Sequence, residues 1–119
     1  MKIAITAQGK DLDSQVDPRF GRAACILIVD TDSHEVKVID NSQNLNAFKG
    51  AGIQAAATLS KSGAEVLLTG YCGPNAFKTL QTAGIRVVND VAGKVKDAVD
   101  AFKAGDVTFA DDANVEAHW

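Results

Sequence analysis

The sequence predicts an α/β domain built on a mixed five-stranded sheet with three helices. Three observations carry that reading. Residues 24–29 and 35–40 are apolar or alternating runs separated by the turn Asp30-Thr31-Asp32-Ser33, which describes an antiparallel hairpin. From Gly50 onward, helical spacing alternates with short apolar runs, the pattern of parallel crossovers. Each helical pattern closes on a glycine, at Gly63, Gly84 and Gly105.

The elements follow in order. Lys2-Ile3-Ala4-Ile5-Thr6-Ala7 is the first strand. Residues 8–23 form a loop rich in Gly, Asp, Ser and Pro, and its length suggests a functional loop. The second strand, residues 24–29, is apolar on both faces and belongs inside the sheet. The third, residues 35–40, alternates and pairs with it. Gly50-Ala51-Gly52 opens a helix through Ile53, Ala56, Ala57 and Leu59. Residues 65–69 are a short buried strand. Gly73-Pro74-Asn75 starts a second helix, with proline at a tolerated first-turn position. Residues 85–88 form the last strand. Residues 94–103 form a third helix with Val95, Ala98, Val99 and Phe102 at helical spacing. The domain is expected to span residues 1–105. Residues 106–119 read as an acidic, unpatterned tail, much of it mobile.

A hairpin followed by crossovers gives the strand order 3-2-1-4-5, with the second strand antiparallel. The loop carrying Arg19 and Arg22 then lies at the carboxyl edge of the parallel strands. The segments 43–52, 71–75 and 89–93 share that edge. Open α/β sheets bind ligands there, near the strand-order reversal, here between the first and fourth strands.

Composition narrows the function classes. With 119 residues the chain is one domain, large enough to bury a core unaided. Its net charge of −3 gives no general attraction for nucleic acid, so any anion site must be a local concentration of positive charge. No apolar run approaches a membrane span. Met1-Lys2-Ile3 enters a strand pattern at once, so no signal peptide is expected and a cytoplasmic location is. Cys25 and Cys72 form no CxxC and neither lies near His34 or His118, which argues against a tetrahedral thiolate site.

The chemistry-bearing features favour anions. In Asp17-Pro18-Arg19-Phe20-Gly21-Arg22-Ala23, two guanidiniums stand beside a glycine and an aromatic ring. A guanidinium is a fixed fork of donors with a permanent charge. The helix starts at Gly50-Ala51-Gly52 and Gly73-Pro74-Asn75 offer backbone N–H groups and the positive dipole end. Lys49 and Lys78 add charge. The bland alternative is solvated arginines and glycine-rich caps. Gly50-Ala51-Gly52-Ile53-Gln54-Ala55 formally matches a dinucleotide fingerprint, but no strand immediately precedes it and no ribose-binding acid follows. The inner strands lack the carboxylates of a two-metal nuclease. Cys25 reads as an inert core thiol. Cys72 sits near a helix N-terminus expected to lower its pKa, where it could touch a metal or a soft ligand, though a packed cysteine in a turn is the simpler reading.

At Phe20-Gly21-Arg22-Ala23, at Gly50-Ala51-Gly52-Ile53-Gln54-Ala55-Ala56, and at Thr69-Gly70 with Gly73-Pro74-Asn75-Ala76-Phe77, the chain resembles the dinitrogenase iron–molybdenum cofactor biosynthesis family. The resemblance covers residues 1 to about 105. It implies a ribonuclease H-like fold and the binding or carriage of metal–sulfur clusters, not turnover. Particular resemblance to one member of the family implies a molybdenum–copper sulfide cluster. Family members often place histidine where this chain has Arg19 and Lys49, and an apolar residue where it has Cys72. Cations cannot ligate metal, so the exchange favours a preformed, polyanionic thiometallate held by charge-assisted N–H donors.

The expected roles follow from that resemblance. Arg19 and Arg22 neutralise the cluster from one side. Lys49 with the amides of Gly50, Ala51 and Gly52 caps it from a second. The turn Gly73 to Asn75, with Cys72 beside it, supplies donors from a third. Phe20 and Phe48 shield the sulfide faces. The expected partners are the cluster and a donor or acceptor protein, with no nucleic acid and no membrane. The competing classes are a small ribonuclease H-like hydrolase or nuclease and a plain protein-interaction module.

Overall fold

Five strands and three helices alternate along the chain: β1 (Lys2–Ala7), β2 (Cys25–Asp30), β3 (Val36–Asp40), α1 (Ala51–Ser60), β4 (Val66–Leu68), α2 (Pro74–Thr82), β5 (Arg86–Val88) and α3 (Val95–Lys103). They come from a computed structural model that describes residues 1–41 and 50–110. The sheet order is β3-β2-β1-β4-β5. β2 runs antiparallel to both β1 and β3, while β1–β4 and β4–β5 are parallel. This is the order the sequence predicts, with each strand within one residue of its expected bounds.

Strand periodicity of two sorts the core into two layers. Ala4, Ile26, Ile28, Leu67 and Val87 pack on one face, against Ala55, Ala56 and Leu59 of α1 and Ala76, Phe77 and Leu80 of α2. Ile3, Ile5, Leu27, Val29, Val66, Leu68 and Val88 pack on the other, against Val95, Ala98 and Val99 of α3. Because helices cover both faces, β1 and β2 are apolar almost throughout. Fully burying an Ile or Leu contributes about 1.5–3 kcal/mol. β3 is the outer strand on its side, and Val36 and Val38 remain exposed there.

The three parallel strands, and β3, end at one edge of the sheet. All three helices begin at that edge and return along the sheet. α3 is not the last packed segment. Val107 and Phe109 pack on the second core layer. The Ala110 N–H donates to the Val87 carbonyl at 2.7 Å, and the Arg86 guanidinium lies 3.5 Å from the Phe109 ring centroid. The expected tail therefore begins with five residues folded against β5 and α3. An apolar-polar-apolar triplet in acidic surroundings is too short a pattern to announce this.

Candidate functional site

The edge is built from backbone meeting backbone. The Asp17 N–H donates to the Thr6 carbonyl at the end of β1, at 2.9 Å, and the Thr6 hydroxyl donates to the Asp17 carbonyl at 2.6 Å. The Thr6 and Thr69 hydroxyls lie 2.9 Å apart, joining the ends of β1 and β4. The Tyr71 N–H donates to the Pro18 carbonyl, and the Phe20 N–H donates to the Tyr71 carbonyl at 3.1 Å. A short parallel bridge thus runs between Arg19 and Tyr71.

Two glycines permit this closeness. A Cβ on Gly21 would stand 2.5 Å from the Gly52 nitrogen and 2.7 Å from its Cα. A Cβ on Gly70 would stand 2.7 Å from both the Cα and the carbonyl oxygen of Pro18. Only glycine allows backbones to meet this closely. The arginine loop is therefore wedged between the start of α1 and the turn that leads into α2. Asn41, buried after β3, holds the far side of the loop: its Nδ2 donates to the carbonyls of Gly21 at 3.2 Å and Ala23 at 2.8 Å. The segment 89–93 joins the same edge, with the Asp90 N–H on the Gly70 carbonyl at 3.0 Å and the Val16 N–H on the Gly93 carbonyl at 2.8 Å.

The two helix starts beside the loop share an electrostatic character. α1 has Gly50 as its N-cap and α2 has Gly73, followed by Pro74. Neither has a side-chain cap, and neither carries an acidic residue in its first turn. Their N–H groups and dipole ends favour an anion.

Arg19 is only partly available for that role. Asp17 is buried at 2% exposure, and its Oδ1 accepts from the Arg19 backbone N–H at 3.0 Å and from Arg19 Nε at 3.4 Å. The guanidinium side chain is 43% exposed, so one part balances a buried carboxylate and another faces solvent. Arg22 is half-buried. Gly50 and Asn75 are exposed, Gly52 and Gly73 partly so, and Ala51 is buried. Lys78 is exposed on α2. Phe48 and Lys49 lie outside the described residues.

Two expectations are corrected. Phe20 is only 2% exposed and belongs to the core layer under α1 and α2, so its ring anchors the loop from below instead of screening a ligand. Cys72 is equally buried, in the same core cluster, with its Sγ 3.8 Å from the Gly73 carbonyl. Burial pushes its thiol up to about 12, the opposite of the expected lowering. Desolvating a thiolate outweighs the pull of one helix end. Sequence reasoning also missed Asp17, Asn41, Thr6 and Thr69 as the residues that hold the loop. For Thr6, Thr69 and Asn41 the only signal is polarity at or just past the end of a strand, and Asp17, in the middle of the long loop, has none.

Among the described residues, no three His, Cys, Asp or Glu side chains gather at metal-ligating distance. The acids of the long loop are spread out. Asp17 is committed to Arg19, Asp13 pairs with Lys96 at 3.6 Å, and Asp11 accepts from the Asp13 N–H and the Ser14 hydroxyl. No helix among the described residues is long and apolar enough to cross a membrane.

The family model described as "Dinitrogenase iron-molybdenum cofactor" matches residues 1–105. The chain belongs to that family. Its members handle metal-cluster cofactors. Among solved structures, the apo form of the orange protein from Desulfovibrio gigas is 50% identical, with a TM-score of 0.93 over 96% of each chain. A provisionally assigned NifB protein from Thermotoga is 39% identical, with a TM-score of 0.79 over 91% of each chain. An uncharacterized protein of Methanocaldococcus jannaschii is 25% identical over 108 residues, 88% of this chain and 87% of the relative. The α/β architecture expected from the sequence, a mixed five-stranded sheet of order 3-2-1-4-5 with three helices, is shared with the orange protein structure.

Proposed function

We propose that this protein binds or carries a polyanionic metal-sulfide cluster, a molybdenum–copper thiometallate, without protein-to-metal bonds. The cluster is cargo, held at the carboxyl edge of the parallel strands. The observation that carries the reading is the pair of helix starts, Gly50 and Gly73, without acidic first turns and joined by a loop that brings two arginines between them. Such an edge offers N–H donors and positive charge from several directions. Sulfide already completes the coordination of a thiometallate, so the protein needs to supply only charge-assisted donors and partial exclusion of water.

In this reading Arg22 and the exposed part of Arg19 neutralise charge from the loop side. The Gly50, Ala51 and Gly52 amides, with Lys49 and Phe48, meet the cluster at α1. The Gly73 to Asn75 turn meets it at α2. Asp17 orients Arg19. Cys72 lies beneath the turn and packs instead of ligating. The protein is a carrier in the cytoplasm, not an enzyme, and its partners are the cluster and a protein that donates or accepts it. Resemblance to the orange protein of Desulfovibrio gigas supports the choice of molybdenum and copper.

Metal analysis of protein purified without reconstitution tests this. Co-purifying molybdenum and copper with a visible absorption band is the expected result, and retention should fall as ionic strength rises. Metal-free, colourless protein that also fails to take up a thiomolybdate–copper mixture would overturn it.

A further inference from the structure

A second feature lies across the sheet from the arginine loop, on the α3 side. A cavity of about 710 Å³ opens between α3, the ends of β4 and β5, and the segment 105–110. That volume falls in the range of small-molecule sites, about 300–1,000 Å³. It extends from the carboxyl ends of β4 and β5 along α3 to Gly105 and Asp106, away from the strand-order reversal between β1 and β4.

The lining specifies a chemistry. Leu68, Val88, Ala98 and Phe109 supply apolar wall. Asp90, Asp97 and Asp106 are the charged residues among the lining, and no lysine, arginine or histidine joins them. Asn89, where β5 ends, also lines the cavity, and its Oδ1 is buried with no hydrogen-bond donor. A buried acceptor left unpaired is costly. Asn89 as a residue is only partly buried, and the last torsion of an asparagine side chain is broad, so binding at this oxygen requires a turn of the amide toward the cavity. No three of the acidic side chains stand at metal-ligating distance, which points away from a metal ion.

We infer that this cavity binds a small organic cation: a protonated amine with an apolar body, its N–H directed to Asn89 Oδ1 and its charge balanced by Asp90, Asp97 and Asp106. The amine is a second ligand, independent of the cluster edge. Its apolar body lies over Leu68 and Val88, away from the Phe109 ring on which Arg86 stacks, and binding relieves the unpaired oxygen.

The test is a ¹H–¹⁵N NMR titration of the full chain with benzylammonium chloride, against sodium benzoate and magnesium chloride at equal ionic strength. Benzylammonium should give saturable shifts at the Asn89 side chain and in segments 89–91, 97–101 and 105–110, where benzoate and magnesium give none. Asn89→Leu should fold at least as stably as the parent and bind benzylammonium about ten-fold more weakly, because a hydrogen bond to a charged donor is lost. Asp97→Asn, at an exposed position, should weaken it by about two- to five-fold. Absence of shifts, shifts confined to the arginine loop, equal shifts with benzoate, saturation by magnesium, or unchanged affinity in both variants would each overturn the inference.

Discussion

α1 and α2 begin without a carboxylate in their first turns, whereas α3 has Asp97 in its first turn. All three helices start at the same edge of one sheet, so the backbone dipole at each start is alike. The sequence answers it differently. On the α3 face the chain supplies its own negative charge, and the nearby cavity is lined by acids alone among charged groups. On the α1/α2 face the helix starts are glycines, and the neighbouring loop adds arginines. An anion near a helix start gains about 0.3–1 kcal/mol, and up to about 2 kcal/mol where partly buried. One sheet thus presents two electrostatic faces, one suited to an anion and the other to a cation.

The largest effect should come from spoiling the wedge that forms the anion-seeking face. Gly21→Ala places a Cβ 2.5 Å from the Gly52 nitrogen, so the loop or α1 must move. Overpacking of this kind costs about 1–3 kcal/mol. A lowered urea midpoint together with loss of thiometallate retention is expected. Full retention would show that the contact between loop and helix does not shape the site.

The next effect separates the faces by charge. Arg19→Ala combined with Arg22→Ala should weaken retention about ten-fold or more, since charge-assisted hydrogen bonds are lost. It should also cost about 1 kcal/mol of stability, because buried Asp17 loses a partner that is itself 43% exposed. Asp97→Asn on the other face should leave retention unchanged and cost α3 about 0.3–1 kcal/mol. Affinity titration and urea melts of the three proteins read both quantities. Equal losses of retention on the two faces would abolish the distinction.

The smallest effect on the cluster concerns Cys72. With its pKa raised from 9.0 to about 12, the thiol resists deprotonation only in the folded state. Its contribution to stability is complete below pH 9 and is lost as pH rises toward 12. Native Cys72 should resist iodoacetamide at pH 8 and react in denaturant. Cys72→Ser should keep the cluster while losing about 1–3 kcal/mol, because a hydroxyl costs more to bury among these apolar groups than a thiol does. Loss of colour in a folded Cys72→Ser protein would make the thiol a ligand.

The reach of the sequence reading follows from what periodicity encodes. β1 and β2 declared themselves because central strands covered on both faces are apolar throughout, and hairpin-then-crossover leaves few strand orders. The glycine-led helix starts were legible because cap residues act locally. Phe20 was misplaced because one aromatic in a loop has no periodic neighbours to say which way it faces. Asp17 and Asn41 were unreadable as clamps, since their partners are backbone atoms distant in sequence or hidden by a turn. The pKa of Cys72 depends on how many apolar groups close over it, which a neighbouring helix start does not reveal. Val107 and Phe109 joined the core through contacts with β5 and α3 that their own short segment could not announce.

The central claim is that the anion site lies on the α1/α2 face and not on the α3 face. ¹H–¹⁵N NMR during titration with tetrathiomolybdate and Cu(I) tests it most directly. The account predicts shifts at Arg19, Arg22, Gly50, Gly52, Gly73 and Asn75, with Asn89, Asp97 and Asp106 unmoved. Shifts centred on Asn89 and α3, or saturable binding that leaves the arginine loop unmoved, would contradict it.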